Sequence, residues 1–353
     1  MKRDSDSAAK RAGVSGFQIP KHLAFRIHPS LAPFIALLAL VVFDVLFVPN
    51  FASIQVKQGR LFGAPIDVLH RAAPVMLLAI GMTLVIGTRG IDLSVGAVMA
   101  VTAAICASLA TRGALPAYAV ILVGLAASTA AGLWNGMLVA YIRIQPIVAT
   151  LILMVAGRGL AQLITAGQIV TFDNRTLNFI AGGSILGLPF TVYIVAAVFL
   201  LTLFLARKTV LGTFIEAVGG NETAAAYSGI NTALVKLFAY AFCGFCAGAA
   251  GLIAMSDIKA ADANNIGLNL ELDAILSVVI GGTLFTGGRF NLLGSVIGAI
   301  FIQALTTTIL MKGIPVEKTL VVKALVVILA CAVQSSAFQA FVVRAFRRGR
   351  VTA

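Results

Sequence analysis

The chain has 353 residues, of which 60% are hydrophobic and only 11% charged, and its mean hydropathy is +1.02; a soluble globular domain carries roughly 25% charged residues. This excludes an ordinary soluble protein and a disordered chain, while 34 glycines without a three-residue period and only four cysteines exclude a collagen-like repeat and a disulfide framework. The net charge of +13 comes largely from the two ends, Lys2 to Arg26 and Arg344 to Arg350, which flank apolar segments as positive-inside topology requires; no nucleic-acid motif accompanies it.

Residues 1 to 30 therefore read as a basic cytoplasmic tail. The apolar run from Leu31 to Val48 is longer than a signal-peptide core and no small-residue cleavage site follows it, so it reads as a retained first helix. Asp44 lies near its outer end and is expected to reach the interface. Further apolar runs cover 66 to 88, 93 to 111, 116 to 140, 147 to 165, 190 to 206, 234 to 255, 272 to 286, 292 to 311 and 319 to 335, making ten in all. A second basic tail occupies 337 to 353. The sequence thus predicts an all-α polytopic membrane protein of about ten transmembrane helices, a single membrane domain over 31 to 336. Helices are required because backbone polar groups in lipid must be satisfied within the segment. With ten spans both ends share one side, and that side collects sixteen Lys and Arg against eight on the other, so both termini are expected in the cytoplasm. The pairs Gly132 with Gly136, Gly244 with Gly248 and Gly294 with Gly298 predict close helix contacts.

Polar interruptions mark candidate sites. Gly87 to Gly96 breaks two apolar runs with Arg89, Asp92 and three glycines; Asp92 or Ser94 can cap the next helix, or the break can line a pathway. Arg89 is three residues from Asp92, close enough to pair with it along a helical turn. Asn135 and Trp134 interrupt the fourth run, offering either a hydrogen bond and a stacking face for a solute or helix packing. Arg158 sits within an apolar run, where exposure to lipid would cost roughly 2.5 to 3.5 kcal/mol; lining a solute path and holding other backbone internally are both open to it.

The longest cytoplasmic loop, about 207 to 233, contains Gly219 to Ile230. Asn221 is placed to cap a short helix whose first residue is Glu222, Ala225 lies in its alanine run, and Ser228 and Gly229 end it. About seven residues are too few to be stable alone, so this helix must be held by its own protein or dock into another. On the other side, a loop carrying Asp257, Asp262, Asn264, Asn265, Glu271 and Asp273 has a single cation, Lys259, and is a candidate contact face or simply solvated. Cys243 and Cys246 lie in an apolar run and read as small packing residues, and His22, His28 and His70 show no metal-ligand spacing.

Gly81 to Ile86 followed by Gly90-Ile91-Asp92-Leu93-Ser94-Val95-Gly96 resembles the hallmark of inner-membrane permease subunits of bacterial sugar ABC importers of the ribose, xylose and arabinose type. Pro146 to Leu151, Arg158 to Ala161, the Gly219 to Ile230 segment and Gly287 to Asn291 extend the resemblance over nearly the whole chain after the N-terminal tail. Ile144 to Pro146, Gln168 to Phe172 and Gly267 to Ile275 look most similar to the galactofuranose branch. Arg89 departs from the family, which commonly has a small residue there.

The resemblance implies a transport subunit in the bacterial inner membrane that carries a monosaccharide, a pentose or galactofuranose. It implies four partners: an ABC ATPase holding ATP and Mg and docking on Gly220, Asn221, Glu222, Ala225, Ser228 and Gly229; a periplasmic binding protein docking on Asp257, Asp262, Asn264 and Asn265; a second permease copy; and the lipid bilayer. It further implies a translocation path or gate at Asp92, Ser94, Asn135 and Arg158. No phosphate-cradling Gly-x-x-x-x-Gly-Lys-Ser/Thr is present, so ATP chemistry belongs to the partner and this chain is expected to be no enzyme and to bind no cofactor. The rival reading is an ion-coupled secondary transporter of a small polar solute, which would embed carboxylates or histidines in mid-span.

Overall fold

A computed structural model describes residues 31–49, 51–57, 59–113, 115–313 and 315–334; both basic tails, 1 to 30 and 337 to 353, lie outside the described residues. The described chain is mostly helical. In order, the helices are α1 Leu31–Phe47, α2 Ala64–Gly87, α3 Val95–Arg112, α4 Ala117–Ala140, α5 Pro146–Ile164, α6 Arg175–Gly182, α7 Phe190–Lys208, α8 Val210–Gly220, α9 Glu222–Tyr227, α10 Thr232–Ile258, α11 Leu270–Ile280, α12 Leu292–Met311 and α13 Val316–Gln334. Three two-stranded antiparallel pieces decorate one end: β1 Gln55–Lys57 with β2 Arg60–Phe62, β3 Val170–Thr171 with β6 Ala260–Ala261, and β4 Ser184–Ile185 with β5 Leu188–Pro189.

Among the described residues seven helices are long and apolar enough to cross a membrane: α2, α3, α4, α5, α7, α10 and α12. The other three expected runs hold α1, α11 and α13. The run at 272 to 286 is broken. Its helix, α11, stops at Gly281, whose N–H is bonded to the Ser277 carbonyl, and Gly282 then takes a left-handed φ of 86°. Eleven residues rise about 16 Å, half the hydrocarbon thickness of about 30 Å, and an irregular segment, 281 to 291, continues to α12.

The core is centred on α2 and α10, whose residues are buried on nearly all sides. Hydrophobicity around the whole circumference is what such central helices need, since there is no outward face to solvate. Helices α4, α5 and α7 instead present large apolar side chains outward, among them Trp134, Val155 and Phe204. The glycine spacings on α4 and α10 meet one another: a Cβ on Gly132 would strike the Tyr240 carbonyl and one on Gly244 the Ser128 carbonyl, so the two backbones touch. Cys243 and Cys246 are free and buried, and both lie against Gly81 of α2.

Asp44 does not reach the interface. It is fully buried between α1 and α12, where the Thr308 hydroxyl donates to both carboxylate oxygens at 2.8 and 2.9 Å, and Lys312 donates to the Phe47 carbonyl nearby. Packing of α1 onto α12 supplies a partner that residue depth in the sequence cannot show. Asp273 likewise leaves the solvated loop: on α11 it pairs with Lys323 of α13 at 3.0 Å, with side chains 17% and 11% exposed.

Candidate functional site

Two ends of the helical bundle carry polar constructions. At the first, α2 ends at Gly87 and the chain turns through Arg89, whose φ is 65°. Asp92 then closes a local turn, its Oδ1 accepting from the Ser94 N–H at 3.0 Å and from the Ser94 hydroxyl at 2.6 Å. Ser94 occupies the position before α3 but its side chain makes no cap; that hydroxyl is spent on Asp92. Asn135, on α4, donates through Nδ2 to Ser94 Oγ at 2.9 Å and to Asp92 Oδ1 at 3.4 Å, while its Oδ1 has no partner. Asp92, Ser94 and Asn135 are each at most 1% exposed, so these three expected site residues form one closed cluster that lines none of the cavities described below. Trp134, next in sequence to Asn135, points the other way and is 54% exposed.

Arg89 does not pair with Asp92. Its left-handed backbone turns the side chain away, and it donates through Nε to the Thr286 carbonyl at 2.6 Å and through Nη2 to the Gly220 carbonyl at 2.9 Å. Three chain segments meet there. A Cβ on Gly219 would strike the Gly87 carbonyl, one on Gly287 the Arg89 side chain, and the Gly288 N–H donates to the Gly87 carbonyl at 3.1 Å. The junction thus joins the end of α2, the end of α8 and the 281 to 291 segment.

From this junction α9 stands out as a separate short helix. Asn221 Oδ1 accepts from the Ala224 N–H at 3.0 Å, Glu222 in the first turn meets Lys236 Nζ at 2.6 Å, and the Ser228 hydroxyl donates to the Ala224 carbonyl. Gly229, with φ 86°, follows the helix, and the Gly229 and Ile230 N–H groups return to the Ala226 and Ala225 carbonyls, the paired closure of a helix C-terminus that calls for glycine. Only Ala225 of α9 is buried, and Tyr227 is 90% exposed. The preceding helix α8 was not expected from the sequence, although Thr209, whose hydroxyl caps the Leu211 N–H at 3.2 Å, is the signal that could have found it. A cavity of ≈ 680 Å³ borders this end, with Arg207, Glu216 and Arg289 in its wall.

At the opposite end the 259 to 269 loop is organised by Arg158. Its Nη1 donates to the Ala263 carbonyl at 2.9 Å and the Ile266 carbonyl at 2.7 Å. Asp262 accepts from the Asn264 and Asn265 N–H groups and, at 2.6 Å, from Asn265 Nδ2, while Asn264 Oδ1 accepts from Gln162. The Asn265 side-chain amide, with the two backbone N–H groups, holds the Asp262 carboxyl below the usual carboxylate range against a smaller opposing effect of burial. Asp257, at the end of α10, accepts from His70 Nε2 at 3.3 Å, and His70 Nδ1 lies 3.1 Å from the Thr191 hydroxyl. A cavity of ≈ 490 Å³ opens beside these residues.

Residues 64–331 match the family described as branched-chain amino acid transport system / permease component. The chain belongs to this permease family. The permease is 55% identical to a galactofuranose transporter permease protein of Escherichia coli over 89% of this chain and 92% of that one. It is 40% identical to a fructose import permease protein of Bifidobacterium longum, over 85% and 86% of the two chains, and 36% identical to a ribose import permease protein of Escherichia coli, over 85% and 92%. It is accordingly a multi-pass membrane transport subunit that carries no ATPase motif of its own.

Proposed function

We propose that this permease carries a furanose-forming monosaccharide, galactofuranose first among the candidates, through the inner membrane as one of two permease copies, with a separate ATPase on the α8–α9 face and a periplasmic binding protein on the 259 to 269 loop. Ten spans with both termini in the cytoplasm fit the charge count and put α9 on the cytoplasmic side. The observation that carries the reading is α9 itself. A six-residue helix cannot persist alone in water, yet this one is capped at both ends, tethered through Gly220 and Arg89 to the end of the central helix α2, and left with Tyr227 and most of its surface uncovered. Such a helix is suited to transmit a push from a docked protein into the core. The buried Asp92, Ser94 and Asn135 cluster follows Arg89 in the chain and ties the α2–α3 connection to α4, so a displacement of the junction would be passed on to α4.

The names of the relatives favour a sugar over an amino acid. The test reconstitutes the permease with its ATPase and binding protein in liposomes and follows uptake of labelled galactofuranose, ribose, fructose and leucine. ATP-dependent uptake of a sugar, lost in Glu222→Arg while the variant remains folded and monodisperse, is the expected result. That substitution sets two cations, the new Arg and Lys236, against each other at a positive helix end. Uptake driven by a proton or sodium gradient without the ATPase would instead establish a secondary transporter.

A further inference from the structure

We propose that the cavity between α2, α10, α12 and the 259 to 269 loop is a sugar-accepting site of the permease, with the Gln303 side-chain amide as its principal hydrogen-bonding group; this rests on the sugar-importer reading above. Its volume, ≈ 490 Å³, lies within the range of small-molecule sites, roughly 300 to 1,000 Å³. The wall has an apolar part, Pro74 and Ile253, and a polar part contributed by four separate segments, among them Arg71, Asp257, Asn265 and Gln303.

Gln303 is the informative residue. It lies eleven residues into the apolar helix α12, where an amide in lipid would be costly, and among the described residues no side chain or backbone group bonds its amide; only its carbonyl on the main chain accepts, from Thr307. A half-buried amide without a protein partner that faces a cavity, in a segment selected for apolarity, points to a ligand or water in that cavity.

The chemistry of the remaining groups narrows the ligand. Several groups of the site already have partners within the protein: Arg71 Nε donates to Asp67 at 2.9 Å, Asp257 accepts from His70 at 3.3 Å, and Asp262 takes three N–H bonds from Asn264 and Asn265. What stays open is both ends of the Gln303 amide, the Asn265 side-chain oxygen, the second oxygen of Asp257 and the Nη groups of Arg71. These are donors and acceptors side by side, a set that matches hydroxyls, each of which both donates and accepts. The apolar wall is available to the carbon face of a sugar ring. The site lies under the loop proposed to receive the binding protein, so a released sugar would enter it first.

The assembled importer in proteoliposomes tests this through two activities of the same sample: ATP hydrolysis stimulated by sugar-loaded binding protein, and sugar taken up per ATP. Gln303→Leu suits the apolar helix and removes only the amide. We expect stimulated hydrolysis to persist while uptake per ATP falls about tenfold, with partial recovery in Gln303→Asn. In a second measurement, Gln303→Cys in the nanodisc-embedded importer is labelled by a water-soluble maleimide, and millimolar galactofuranoside or ribose, but not leucine, slows the labelling. Wild-type uptake per ATP in Gln303→Leu overturns the proposal. So does labelling unaffected by any sugar, and so does loss of both activities without recovery in Gln303→Asn, which would assign the residue to helix packing. If the wild-type importer itself takes up no sugar with ATP, it is the functional reading that fails.

Discussion

Arg89 offers the most direct check of the junction at the foot of α2. Its side chain ties two distant segments by hydrogen bonds of 2.6 and 2.9 Å, while its backbone sits at φ 65°. Substitution by Ala removes the two bonds and keeps the left-handed strain. Substitution by Gly removes the bonds and also the strain. The guanidinium is exposed, so its two charge-assisted bonds are taken at the low end of their range, together about 1 to 2 kcal/mol. The left-handed conformation costs a residue with a Cβ roughly 1 to 2 kcal/mol. Arg89→Ala should therefore loosen the junction by about 1 to 2 kcal/mol, whereas in Arg89→Gly the two changes nearly offset. Hydrogen exchange of the purified protein reads this locally, because the Gly288 N–H is bonded across the junction to the Gly87 carbonyl. Exchange over 284 to 290 should quicken roughly tenfold in the Ala variant, as 1.4 kcal/mol corresponds to a factor of ten, and by no more than about threefold in the Gly variant. Import should survive in Arg89→Gly, since the family motif commonly has a small residue at this position. Equal exchange in the two variants would refute the reasoning, because only the backbone conformation distinguishes them.

Two further outcomes are expected. Lys323→Met leaves the Asp273 carboxylate buried without its partner and should destabilise the protein by about 3 to 5 kcal/mol, whereas the double variant Lys323→Met with Asp273→Leu should recover most of that; thermal melting in one detergent compares them, and a double variant no better than the single one would show that the pair is not coupled. The contribution of Asp262 should depend on pH. Its folded carboxyl titrates below the ordinary value, so its stabilisation of the 259 to 269 loop is complete above about pH 4, the unfolded value, and is lost as pH falls through the lower folded value. The difference in melting temperature between the protein and Asp262→Ala should thus shrink from pH 6 to pH 3, and a difference that stays constant would contradict the hydrogen-bonded carboxylate.

Much of the architecture is readable from the chain because membrane helices are governed by local rules. An apolar run long enough to cross the bilayer must satisfy its backbone internally, and seven such runs are helices of the required length. The α9 segment is equally local: Asn221 accepts from a residue three positions on, and Gly229 closes the end, so both appear in sequence as capping residues. The run at 272 to 286 misleads because it is apolar for most of its length despite Asp273, and apolarity does not register that Gly281 and Gly282 end the helix at half the membrane thickness. Helix α8 escapes notice because it is apolar but only eleven residues long, too short to register as a span.

The destinations of polar side chains were not readable. Arg89 reaches partners 131 and 197 positions away, Asp44 one 264 away, and Asp273 one 50 away. In each case spacing along the chain favoured a local partner or an exposed interface, and the packing of helices supplied a distant one. The same holds for the cavity at Gln303, whose wall is drawn from four segments. The sequence by itself determined the membrane class, the helical runs, the capped α9 and the permease family, since each follows from composition or from hydrogen bonds within a few residues. Only the tertiary structure decided which buried charges are neutralised, which polar groups are left open and where they converge, because a buried polar group takes whatever partner the folded helices bring within about 3 Å of it.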